Sequence, residues 1–338
     1  MPDPTHTFVA YPLIFQDTFK ERVWGGQTLR KLLGKGVPPG RPIGESWEIV
    51  DHRSDSSVVA NGPYAGRTLS DLRVQFGPEL VGEAPLALGR GQLPLLLKFL
   101  DAREDLSVQV HPKDDYAFKH ENGELGKTEM WYVVHAEPGA RLITGLRAGI
   151  DRPKLEAAIS EGRVKECLEE TPVQAGDIFF TPAGRVHAVG KGLVIWECQQ
   201  NSDVTYRFYD WDRVGLDGKP RELHIQKSLD VIDYQATDSA QVHPQARDEG
   251  GNTVYPMVQC PYFCADKVEL RAARDEETHG SFRILTVLEG EVDARVGDAE
   301  PVRLGRGRSC LVPCAAGTVR LEPHGGSAVL LEAWCPVA

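Results

Sequence analysis

The chain has 338 residues, 41% of them hydrophobic, with 34 glycines, 23 prolines and a formal net charge of −11 at pH 7. Glycine and proline are spread along the whole length, which fits a turn-rich, strand-dominated globular protein and excludes a disordered one; the length favours two units, or one large all-β unit with an appendage. With no run of Lys and Arg, the negative charge excludes a general nucleic-acid binder, yet it allows a small anionic substrate in one local basic pocket.

The opening stretch, MPDPTHTFVAYPLIF, lacks a basic segment followed by a long apolar one, and nowhere does the chain approach ~20 consecutive apolar residues. A cytoplasmic location is expected, with no membrane association and no protein partner implied. Seven cysteines, an odd count, predict reduced and mostly buried thiols, not a disulfide framework. Cys260/Cys264 and Cys310/Cys314 repeat one gap, but structural zinc knuckles usually use tighter spacings, so a second zinc site is not expected.

Residues 11–100 read as strands at 46–50, 56–60 and 93–100, with a short helix over Thr68–Phe76. In LSVQVHP at 106–112, alternation puts Ser107, Gln109 and His111 on one face and Leu106, Val108 and Val110 on the other. EMWYVVHAEPGARLITG at 129–145 predicts two strands about a Pro-Gly turn, and 149–170 predicts a helix capped by Asp151. Strand signals resume through DIFFTPAG, GLVIWECQQ and TYRFYDW, before a polar connection over 233–254. Beyond it, FRILTVLEGEVDARV and RSCLVPCAAGTVRLEP repeat the pattern of EMWYVVHAEPGARL and DIFFTPAGRVHAV, with Arg283 where Glu129 stands and Thr318 where His187 stands. That copy is expected to hold no metal.

The chemistry concentrates before residue 232. From Gly176 to His187 the spacing is glycine, five residues, Pro182-Ala183-Gly184, two residues, histidine, the second motif of cupins. The Pro-Ala-Gly turn reverses the chain, so His187 starts a strand at a barrel mouth. The first cupin motif normally supplies two histidines one residue apart and then a glutamate. Here the pair is Gln109 and His111, and Glu129 follows eighteen residues after His111.

With these residues the chain resembles type I mannose-6-phosphate isomerases, in a short bacterial form. The resemblance extends through VWGG at 23–26, GESWEI at 44–49, SVQVHP at 107–112, GKTE at 126–129, PAGRVHAVG at 182–190, QQNSDVTYRFYDWDR at 199–213 and RELHIQKSLDVI at 221–232, in the family's order. It implies a mainly β fold: a cupin (double-stranded β-helix, or jelly-roll) barrel over residues 1–235 with a helical insertion near 151–170, then a degenerate cupin-like β domain over 236–338. It also implies one zinc ion per chain held by Gln109, His111, Glu129 and His187, and isomerisation of mannose 6-phosphate and fructose 6-phosphate. Two imidazoles, one carboxylate and one amide leave a divalent ion with net positive charge and an open position, a donor set weighted toward catalysis.

Aldose–ketose interconversion needs a Lewis acid, a proton carrier and an anchor for the phosphate. Lys127, two residues before Glu129, faces the same interior, and the matching family lysine serves substrate binding and catalysis. Asp203, Thr205 and Arg207 alternate onto one strand face, and an Asp with an Arg on an interior face favours a polar site. The resemblance gives Arg207 the anion-stabilising role and leaves Lys127 and Asp203 both open as proton carrier. Ser107 is expected near the phosphate and Glu48 at the substrate wall, while Trp24 and Trp47 read as packing. The chain departs from longer members at Gly126, where many carry a histidine, and in a shortened helical domain.

Two other readings stay open: a barrel isomerase acting on another aldose or aldose phosphate, and a non-catalytic metal-binding carbohydrate sensor. Lys127, Asp203 and Arg207 weigh against the second. Gln109 weighs against a redox cupin using iron, which is expected to carry a different ligand set.

Overall fold

The computed structural model describes residues 7–236 and 238–337. The first six residues, on which the reading of the N-terminus partly rests, and Thr237 in the expected connection lie outside the described residues.

The fold is mainly β. A seven-stranded sheet runs Gln241–Val242, Ile178–Thr181, Glu129–Ala136, Leu193–Gln200, Leu95–Ala102, Thr18–Gly26 and Ile43–Ile49. Leu95–Ala102 is buried at every position, as expected of an apolar run at the centre of a sheet covered on both faces. Lys98 breaks that run in its middle. A second layer comprises the sheet Leu168–Pro172, Arg141–Leu146, Ala188–Val189 and the pair Tyr206–Tyr209 with Val108–Val110. One antiparallel bridge, Gln109 to His187, links them.

The C-terminal barrel is a nine-stranded sheet built around the long strands Arg283–Arg295 and Thr318–Trp334. Leu13–Ile14 from the start of the chain pairs with its strand Ser309–Val312. A single apolar core joins Leu97, Phe99 and Trp196 to Ile284, Leu311 and Leu331, and the Trp196 indole donates to the Thr286 hydroxyl at 3.2 Å. All seven cysteines are free thiols.

Local chemistry accounts for the connections. The helix Leu69–Phe76 opens on a capping box in which Thr68 and Asp71 satisfy each other's backbone amides. The helix expected over 149–170 is shorter: it covers Arg152–Ser160, capped by Asp151 at 3.0 Å from the Lys154 amide. Gly162, at φ +70°, stops it, and Leu168–Pro172 turns into a strand because it finds a partner in Arg141–Leu146; tertiary pairing overrides local propensity there. At 56–60 the expected strand is reduced to the end of the two-residue strand Asp55–Ser56 and isolated bridges at Val58 and Val59. Within 233–254, Gln241–Val242 pairs with Ile178–Phe179, adding an edge strand to the first sheet.

The two barrels match in register and differ in charge. Glu197 lies opposite Lys98, whereas Glu332, at the corresponding place, lies opposite Asp266. Glu332 is 1% exposed, and neither of its oxygens accepts a hydrogen bond among the described residues. Arg283 stands 3.6 Å away. Burial, reinforced by the charge of Glu276, pushes the Glu332 carboxyl well above the usual carboxylate range. The folded state therefore holds a proton that the unfolded chain releases, so stability from this group is full below the unfolded pKa and is lost as pH rises through the folded one. Glu332→Gln is expected to flatten the fall in Tm between about pH 5 and about pH 9; equal slopes in both proteins would show that Glu332 is ionised in the fold.

Candidate active site

Four donors meet between the two layers of the first barrel. His111 follows the strand Val108–Val110, Glu129 begins Glu129–Ala136, and His187 immediately precedes Ala188–Val189. The Gln109–His187 bridge exchanges both backbone hydrogen bonds, at 3.0 and 2.9 Å, so these side chains leave the same face side by side.

Each imidazole is held by its far nitrogen. His111 Nδ1 donates to the Val204 carbonyl at 2.8 Å and His187 Nδ1 to the Arg185 carbonyl at 2.9 Å. These bonds put the proton on Nδ1 and leave both Nε2 lone pairs facing inward. The two Nε2 atoms lie 3.1 Å apart, and Glu129 oxygens stand 3.5 Å from His111 Nε2 and 3.3 Å from His187 Nε2. Glu129 is fully buried, and among the described residues its Oε1 has no hydrogen-bond partner while its Oε2 faces only the Lys127 ammonium, at 2.9 Å. Burial holds His111 well below the usual imidazole value and His187 down to about 4, so both rings are neutral near pH 7. Acceptors converging with no proton among them favour a cation, and Lys127 supplies one at the edge of the cluster. His111, Glu129 and His187 fit a divalent ion, their ligand atoms all lying within 4.8 Å of one another. The Gln109 amide, 3.2 Å from His187 Nε2, offers a fourth donor when its oxygen end is turned inward.

Lys127 brings a cation to this cluster, with Nζ 2.9 Å from Glu129 and 3.2 Å from His111. Its loop is braced from behind: Asp114 accepts from the Gly126 amide at 2.7 Å and from Gln200 at 3.0 Å, and Gln200 accepts from the Thr128 amide at 2.8 Å. At Gly126 a Cβ would stand 2.6 Å from the Asp114 nitrogen, so no side chain has room here.

A cavity of about 600 Å³ adjoins the donors, within the range of small-molecule sites; of the four only Gln109 lines it, while His111, Glu129 and His187 are buried outside its lining. Ser107, Gln109, Lys127, Asp203, Thr205 and Arg207 line it. Leu106, placed on the opposite face by alternation, lines it too, because the strand spans only Val108–Val110. Regular strand begins at Tyr206, so Asp203 and Thr205 reach the cavity from irregular backbone.

Glu48 is the exception. It lies outside the lining, bound by Lys35 at 2.8 Å, Ser46 at 2.7 Å and Ser309 at 3.1 Å, where the first barrel meets the second. Glu45 takes the wall position instead. The strand's register shifts between Trp47 and Ile49, and counting by twos cannot anticipate such a shift.

Lys98 and Glu197 also line the cavity and pair at 3.2 Å, with the Trp131 indole donating to Glu197 at 3.0 Å. Neither is among the candidates that motif spacing and strand alternation single out. Their signal was one ammonium inside LPLLLKFL and one carboxylate inside GLVIWECQQ, charges that an apolar strand holds only when they are paired. Burial disfavours the Lys98 charge, yet Glu197 and Glu45 outweigh it and raise the ammonium above its ordinary value. Glu45 is pulled down to about 2, burial being outweighed by Lys98 and Arg22. Arg207 donates to Ser107 at 3.0 Å, and burial together with the nearby Arg221 brings it down to about 10.

The family model of the phosphomannose isomerase type I catalytic domain matches residues 13–133. The chain is 41% identical over 320 residues to the mannose-6-phosphate isomerase ManA of Bacillus subtilis, covering 93% of this chain and 96% of that protein. To the mannose-6-phosphate isomerase of Streptococcus mutans it is 38% identical over 305 residues, covering 90% and 93%. The crystal structure of the Bacillus subtilis mannose 6-phosphate isomerase superposes with a TM-score of 0.85 at 33% identity, covering 95% of this chain and 99% of that one. A phosphomannose isomerase variant from Salmonella typhimurium shares the fold at a TM-score of 0.76 and 19% identity.

Proposed function

The chain belongs to the type I phosphomannose isomerase family, and from that premise we propose that it interconverts mannose 6-phosphate and fructose 6-phosphate through an enediolate, with one zinc ion per chain held by Gln109, His111, Glu129 and His187. The observation that carries the metal is the pair of inward Nε2 lone pairs beside a buried Glu129 carboxylate, ligand atoms of all three residues lying within 4.8 Å of one another. Zinc, when bound, would act as the Lewis acid for the sugar's carbonyl and hydroxyl oxygens.

The protein's own groups supply the remainder. Arg207 and Ser107, bonded to each other at 3.0 Å, offer N–H and O–H donors to the phosphate. Lys98, kept charged by Glu197 and Glu45, is a fixed cation in the wall that favours the negative charge developing on the sugar and is unsuited to act as a base. Two groups are positioned to carry the proton between adjacent carbons: Lys127 beside the donor cluster and Asp203 across the cavity. We take residues 1–235 as the catalytic unit and 236–338 as a supporting β domain contributing none of these groups, with a cytoplasmic location and no protein partner.

The test is a coupled assay for fructose 6-phosphate on purified, zinc-loaded protein against a panel of aldoses and aldose 6-phosphates. Turnover of mannose 6-phosphate is expected within ~1–10³ s⁻¹ and to exceed that of every other sugar. Faster turnover of another aldose phosphate, or none at all, would overturn the assignment.

A further inference from the structure

Arg207 is half-buried and pairs with no carboxylate among the described residues; its side chain donates to the Ser107 hydroxyl at 3.0 Å and the Glu222 carbonyl at 3.2 Å. Asp210, 6% exposed, stands behind it. Its two oxygens take Arg221 in a fork, Nε at 2.7 Å and Nη2 at 2.5 Å, and also accept from Arg213 Nε at 3.0 Å. Arg213 turns its other end to the Asp105 carbonyl and does not line the cavity. Arg221 does line it, and its Nη1 has no hydrogen-bond partner among the described residues.

Two guanidiniums thus share one carboxylate and Arg207 has none, which leaves two positive charges unmatched at one side of the mouth. Arg22, on the strand Thr18–Gly26, is already neutralised by Glu45 at 2.9 Å. Asp203 and Asp217 line the same cavity, but neither pairs with these arginines among the described residues. An excess of two charges is what a phosphate dianion matches, and a guanidinium fixed at one edge with its other edge free is preorganised to bind one.

We infer that Arg221, aimed by the positioning residue Asp210, is the second guanidinium of the phosphate grip beside Arg207 and sets the preference for a phosphorylated sugar over a neutral one. This rests on the sugar-phosphate reading above. The competing role is structural: Asp210 and Arg221 brace the ends of the hairpin in which Val214 bridges Pro220.

The two roles separate experimentally. Arg221→Ala is expected to raise KM for mannose 6-phosphate about 10–100-fold and the inhibition constant of inorganic phosphate in parallel, with kcat changed less than about threefold. Arg221→Lys, which restores charge without the fork, should fall between. Asp210→Asn should raise KM with kcat kept. A fall in kcat with KM and phosphate inhibition unchanged, or no effect at all, would overturn the inference. Thermal unfolding with and without inorganic phosphate gives a readout independent of turnover: phosphate should raise Tm of the wild type and not of Arg221→Ala. If the wild type failed to isomerise mannose 6-phosphate yet kept this difference, the activity would be misassigned and the anion site would stand.

Discussion

His187→Ala is expected to remove the metal and the activity together: zinc retained after dialysis falls below about a tenth of the wild-type amount, and kcat/KM falls by at least about 10³-fold, the scale set by losing a Lewis acid worth several kcal/mol. The ring is 1% exposed, tied through Nδ1 to Arg185, edge-on to Trp131 at 5.3 Å, and its Nε2 faces both His111 and Gln109. Without it, three donors remain and the only charged one is Glu129. Far-ultraviolet circular dichroism of the variant should match the wild type, because the strands on either side of the donors are fixed by their own ladders. A variant that kept zinc and turnover would remove His187 from the centre.

Lys98→Met should cost about 3–5 kcal/mol of stability, as expected when a buried pair loses one partner and the other charge stays behind. Lys98 is 5% exposed and holds Glu197 at 3.2 Å; Glu45 depends on the same ammonium for its low pKa. Adding Glu197→Gln should recover part of the loss, so the double variant will be more stable than the sum of the singles. Activity should fall in both backgrounds, since the wall loses its fixed cation. The checks are urea unfolding of the four proteins of the cycle and kcat of each. Additive free energies would mean that the two charges do not interact in solution.

Several site residues were legible before any coordinates, for reasons that can be named. Ser107, Gln109 and His111 alternate over a short strand, and the Pro182-Ala183-Gly184 turn sets where His187 re-enters the barrel. Glu129 was not legible from spacing; it came from the likeness of GKTE and its neighbours to a known family. Lys98 and Glu197 were hidden because an apolar run predicts burial at every position and says nothing of what its one charge meets across the sheet. Glu48 was misplaced by a register shift that only the pairing with Leu95–Ala102 reveals. The Asp210–Arg221 clamp is built by a hairpin that brings together residues eleven apart, and no periodicity encodes that contact.

The four-donor centre is tested most directly by anomalous diffraction at the zinc edge from crystals of zinc-loaded protein. One peak per chain is predicted, within about 2.0–2.2 Å of His111, His187, Glu129 and the Gln109 oxygen. No peak between these residues after loading, or zinc bound only elsewhere, such as near Cys260 and Cys264, would contradict it.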